Sequence, residues 1–173
     1  MPDTLFHFLF PIIATLAARV HLKHPIRNIL LAGLLAVLID VDHLSIIGLS
    51  RLLFHNVFIT ILLPALLVFY AFYRKKSYEF KGFSILLLVF LASHPFLDMG
   101  FGGGVGWFYP FSTTRYRIDF NLSVAEGLLV STASIWLAVY FLIILIPAYF
   151  LDEIIEVMER KHESFRRALK DLK

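Results

Sequence analysis

NILLAGLLAVLIDVDHLSIIGL, residues 28–49, is the stretch that decides the fold. It meets the roughly 20 apolar residues a membrane-crossing helix needs. Yet Asp40, Asp42 and His43 interrupt it at a depth where titratable side chains are costly and mark function by default. The rest of the chain follows suit. Of 173 residues, 59% are hydrophobic and 17% charged, and mean hydropathy is +0.79, against roughly 45–50% apolar and about 25% charged in soluble domains. Apolar runs separated by charged or Gly/Pro-rich breaks predict spans at residues 4–20, 28–49, 57–73, 83–100 and 126–150, with no internal repeat. The expected architecture is all-α: a polytopic bundle of about five transmembrane helices over residues 1–150, then a basic amphipathic tail helix over 151–173.

Met1-Pro2-Asp3 lacks the basic region and cleavage site of a signal peptide, so the first run is expected to stay in the fold. With no cysteine there is no disulfide framework, zinc ribbon or iron–sulfur cluster, and any metal must be held by His, Asp or Glu. Gln is also absent and Asn occurs only at 28, 56 and 121, a depletion of the kind seen in hyperthermophile proteins.

Sorting the cations by side sets the orientation. Arg19, Lys23 and Arg27 precede span two, Arg74, Lys75, Lys76 and Lys81 precede span four, and six more lie in the tail, leaving Arg51, Arg115 and Arg117 for the other side. The positive-inside rule then places the N-terminus outside and the C-terminus in the cytoplasm of a multi-pass cell-membrane protein. The basic excess is absorbed by topology, which removes the case for a nucleic-acid surface.

The polar residues within the runs fall at one level. Asp40, Asp42 and His43, His94 and Asp98, and His7 all sit roughly 16–23 Å above the cytoplasmic helix ends at ~1.5 Å per residue. His55, at the mouth of span three, faces the same extracytoplasmic side, with Asn56 beside it as a hydrogen-bonding partner. Asp40 and His43 share a helical face at i, i+3, whereas Asp42 points elsewhere unless the helix unwinds. Read alone, Asp42 and His43 equally mark the watery end of a shorter helix. His94 and Asp98 share a face at i, i+4, with Pro95 kinking the span and freeing the Leu91 carbonyl. There Asp98 is either a ligand or the residue that orients His94. His21, His24 and His162 lie away from this level.

The loop over residues 101–123 carries Gly102, Gly103, Gly104 and Gly106, then Trp107, Phe108 and Tyr109, which suit an interfacial aromatic belt. Its Arg115 and Arg117 either snorkel to lipid headgroups or fork onto a substrate phosphate. In the tail, Ile154, Ile155, Met158, Phe165, Leu169 and Leu172 form an apolar stripe among Arg160, Lys161, Arg166, Arg167 and Lys170. That pattern suits an anionic inner surface or a homodimer contact.

His7, the Asp40-x-Asp42-His43 motif, His55, the His94-x-x-x-Asp98 motif and the loop from Gly106 to Tyr116 with Pro110-Phe111-Ser112 together resemble the YdjM-like inner-membrane family of metal-dependent hydrolases, distantly similar to zinc-dependent phospholipase C. Two positions depart from the family pattern. Ile39 stands where the family usually has Pro, and Thr60 replaces the second His of a His-Arg-x-x-Thr-His run, which leaves a one-metal or degenerate site. The resemblance implies a divalent ion, zinc by preference, held by His7, Asp40, His43, His55, His94 and Asp98. Asp42 would orient a ligand or act as general base, and Arg115 and Arg117 would neutralise a phosphate. Such an ion lowers the pKa of water from 15.7 to roughly 7, which suits hydrolysis of a phosphoester or other ester of a lipid-derived substrate. Two other readings remain open: a metal-ion or proton transporter, disfavoured because residues 127–151 carry no charge, and a metal-stabilised scaffold without activity.

Overall fold

The computed structural model describes residues 4–43, 52–101, 104–118 and 143–171. Among them the architecture is all-helical, in the order α1 (Thr4–Ala17), α2 (Pro25–Leu38), a 3-10 turn (Ile39–His43), a π-turn (Phe58–Leu62), α3 (Leu63–Tyr73), α4 (Tyr78–Phe101) and α5 (Leu151–Asp171). Residues 143–149 are also helical. The remainder of the expected fifth span, and the C-terminal end of the second, lie outside the described residues.

Proline and local hydrogen bonding set the helix boundaries. Pro25 opens α2, where its fixed φ is preorganised and its missing N–H costs nothing. Before α3, the Leu63 N–H reaches back to Phe58 O, and Pro64 has no N–H to offer Thr60 O; the wide turn ends where that proline enters. After α1, Arg19 takes φ 52, a left-handed residue that turns the chain out of the helix.

α4 is the central element. It packs against α2 and α3, α1 leans on α2, and α5 crosses one end of α3 and α4. Ile29, Leu86, Phe90 and Ile144 are fully buried where these faces meet. Polar side chains are also drawn into this core while large apolar ones face outward. Thr15, His55, Thr60, Ser93, His94 and Asp98 are wholly inside, while Leu30, Leu34 and Leu38 on α2 and Leu63, Leu66 and Phe69 on α3 are exposed. An apolar exterior of this extent is what a hydrocarbon solvent selects.

Among the described residues, one helix is long and apolar enough to cross a membrane, over Tyr78–Phe96, and Phe58–Tyr73 is a shorter apolar segment. At ~1.5 Å per residue, the 14 residues each of α1 and α2 rise about 21 Å, short of a hydrocarbon core of about 30 Å. Whereas the hydropathy pattern begins span four at Phe83, α4 begins at Tyr78, because the charges there find partners. Glu79 accepts the backbone N–H groups of Lys23 at 2.8 Å and His24 at 3.0 Å, together with the Asn28 amide. Lys81 pairs with Glu159 of α5.

α5 is held to the bundle by charged residues of both signs. Asp152 meets His21 at 3.1 Å, Glu163 meets Lys75 at 3.2 Å, and Arg166 donates to the Tyr73 carbonyl at 3.3 Å. Leu151 and Ile155 are buried beneath it, while Phe165 and Leu169, farther along, are exposed. The apolar stripe therefore divides into a half that packs on the bundle and a half that does not.

Candidate metal centre

Three segments build the site. At the end of α2 the helix tightens into the 3-10 turn, which carries Asp40 and Asp42. Residues 52–57 carry His55 toward α3, and α4 supplies His94 and Asp98 one turn apart. All five side chains are buried.

Asp40, His55, His94 and Asp98 each offer one ligand atom, and these atoms all lie within 4.8 Å of one another. His94 Nε2 is 3.0 Å and His55 Nε2 3.4 Å from Asp40 Oδ1. Asp98 Oδ2 is 2.8 Å from His55 Nε2 and 3.9 Å from His94 Nε2. A tetrahedron with bonds of about 2.0–2.1 Å has edges of about 3.3–3.4 Å, a length these four separations bracket. Two imidazole nitrogens and two carboxylate oxygens are a donor set that zinc accepts. The four residues can hold a metal ion.

The electrostatics point the same way. Asp42 Oδ2 accepts the Phe54 backbone N–H at 3.0 Å and faces His55 Nδ1 at 3.1 Å. A carboxylate there places the ring proton on Nδ1 and turns the Nε2 lone pair toward Asp40 and Asp98. Two carboxylates and a ring lone pair gathered out of water require positive charge among them. A cation with nitrogen and oxygen affinity can supply it. The His55 and His94 rings meet edge to face, with centroids 5.3 Å apart.

Two sequence readings change in detail. The 3-10 turn brings Asp42 inward along with Asp40, so the aspartates two residues apart bear on opposite nitrogens of one imidazole. Asn56 is engaged with the backbone: its amide nitrogen donates to Leu53 O at 2.7 Å, and its Oδ1 accepts from the Phe58 and Ile59 N–H groups at 3.0 and 3.1 Å. It starts the turn into α3 and thereby fixes the residue that follows His55. Thr60, where the resemblance leads one to expect a His, is buried with its hydroxyl donating to Asn56 O at 2.9 Å. The side chains of His7 and His43 lie outside the described residues.

The glycine- and aromatic-rich loop closes over the His55 segment, a role not apparent from composition. Val57 N–H donates to Trp107 O at 2.9 Å, and Trp107 Nε1–H reaches Met99 Sδ of α4 at 3.0 Å. Gly106 rests on Leu52: a Cβ there would fall 2.3 Å from Leu52 Cδ2. Val105 and Tyr116 pair as an isolated antiparallel bridge. Gly104, at φ +84, would place a Cβ 3.2 Å from the Cβ of Arg115 and 3.4 Å from that of Arg117. The two arginine stems thus lie beside Gly104, and both side chains are exposed.

No curated protein and no solved structure matches the chain. The model of the YdjM inner membrane protein family matches it over residues 1–155, a range that includes every residue of the buried cluster and of the loop above it. With most of its length and its whole candidate centre inside that match, the chain belongs to the YdjM inner membrane protein family.

Proposed function

We propose that this protein is a multi-pass, membrane-embedded metal-dependent hydrolase that cleaves a phosphoester or other ester of a lipid-derived substrate. The observation that carries the reading is the convergence of Asp40, His55, His94 and Asp98 within 4.8 Å, inside a bundle whose exterior is apolar. Zinc fits this nitrogen and oxygen set best, and when bound it would supply Lewis acidity and lower the pKa of water. Asp42 holds His55 in the tautomer that leaves Nε2 available. Arg115 and Arg117 carry the positive charge that binds and orients the phosphate, and the loop from Val105 to Tyr116 limits water at the centre. The basic loops lie at the opposite end of α4 from Asp98, which supports a site opening toward the extracytoplasmic leaflet with the C-terminus in the cytoplasm.

The test is the purified full-length protein with a panel of phosphoester and acyl-ester lipids, before and after chelation and again after zinc is restored. Turnover that disappears and returns is expected. Equal or zero turnover in both states across the panel would overturn the reading, and elemental analysis should give one ion per chain.

A further inference from the structure

At the end of α4 remote from the metal centre, two clefts meet at Arg27. One, of about 440 Å³, lies between the start of α2 and α4, walled by Leu31 and Phe83. The other, of about 550 Å³, runs from Lys23 past Ile26 to Leu30. Lys23, His24 and Arg27 on this rim are all exposed. The one carboxylate lining either cleft among the described residues, Glu79, is turned onto the backbone of Lys23 and His24 and onto the Asn28 amide, with the Arg27 guanidinium 4.0 Å away. Glu79 thus shapes the rim, its carboxylate directed onto these neutral donors and flanked by Arg27, and Lys23 with Arg27 still leaves the rim a net positive charge. From this rim an exposed apolar stripe descends α2 through Ile26, Leu30 and Leu34, spaced i, i+4, i+8.

We propose that this face is a binding site for an anionic phospholipid, with the headgroup phosphodiester on Lys23 and Arg27 and an acyl chain along Ile26, Leu30 and Leu34. The charge complementarity and the passage from cationic rim to apolar wall match an amphiphile and not a free anion. Basic pockets beside membrane helices recognise lipid headgroups in this way. The site is independent of the metal centre and of any hydrolysis there.

The experiment is native mass spectrometry of the full-length protein from neutral detergent, mixed with phosphatidylglycerol or phosphatidylcholine. The wild type should retain at least threefold more phosphatidylglycerol. The Lys23→Ala/Arg27→Ala variant should lose that preference, and Arg160→Ala/Arg167→Ala/Lys170→Ala in the tail should keep it. Absence of preference in the wild type, its persistence without Lys23 and Arg27, or its loss in the tail variant would each overturn the assignment. So would equal competition by inorganic phosphate at the same concentration. If the double variant does not fold, Arg27→Lys should retain the preference and Lys23→Glu should at least halve it; no change on Lys23→Glu would overturn the proposal.

Discussion

Asp42 Oδ2 lies 3.1 Å from His55 Nδ1, joining the end of α2 to the start of the α3 segment on the side of the imidazole away from Asp98. The contact sets which ring nitrogen carries the proton. Asp42→Asn removes the charge with little change in volume, and metal affinity should fall about 10–100-fold with the four ligand atoms still present. Competition with a chromophoric zinc chelator measures it; unchanged affinity would show that Asp42 does not position His55.

Loss of a ligand should be more severe. His94→Ala and Asp98→Ala should each abolish stoichiometric metal and lower the melting temperature to that of the chelated wild type, since an ion that binds only the folded bundle at about a hundred times its Kd stabilises by ~2.7 kcal/mol. Thermal melts with and without chelator, beside elemental analysis, would show whether the two losses travel together.

Arg115→Ala should separate substrate from metal. Metal content and melting temperature should stay at wild-type values, while kcat/KM toward a phosphoester lipid should fall by about tenfold or more, the equivalent of ~1.4 kcal/mol or more for a lost charge-assisted contact. An equal loss with a neutral acyl ester would argue against a phosphate role.

Gly106→Ala tests the loop. A methyl 2.3 Å from Leu52 Cδ2 forces Leu52 or the loop to move, at about 1–3 kcal/mol by analogy with overpacked cores. Hydrogen exchange should rise at the Val57 amide, whose bond to Trp107 O would loosen, with little change at the far end of α4.

The tail contact should depend on pH in a defined direction. The Lys75 ammonium, hydrogen-bonded to Glu163, holds that carboxyl below the usual carboxylate range. A depressed folded-state pKa contributes stability above the unfolded value of about 4.3, lost as pH falls through the folded value. Exchange protection around Glu163 in α5 should therefore weaken below about pH 4 once corrected for intrinsic rates. Lys75→Gln should remove that acid sensitivity.

Local spacing made part of the site legible. His94 and Asp98, at i, i+4, had to share a face of α4, and the depth of Asp40 put it at their level. The partner of His55 was not legible, because its neighbour Asn56 is chemically as suitable as Asp42 and only tertiary packing brings the 3-10 turn against residues 54–55. Hydropathy also misjudged where α4 starts, since it scores Glu79 and Lys81 as breaks and is blind to the partners that let the helix continue through them. The tail's amphipathic pattern was plain, but a stripe shows only that a face wants cover. Its division between Met158, which packs on the core, and exposed Phe165 appears only once the bundle is in place.

A donor set drawn from three segments also has a birth date. No nascent chain shorter than Asp98 contains it, and at about 5–20 residues per second the ribosome delivers that last ligand roughly 3–12 s after Asp40. Until then Asp40 and His55 lack the α4 residues they later face, and capture of an ion by all four cannot precede the arrival of α4. A metal held by all four would load only after α4, and a chain arrested before α4 would lack the donor set and be burdened with unmatched polar groups, the marks by which quality control recognises an unfinished membrane protein.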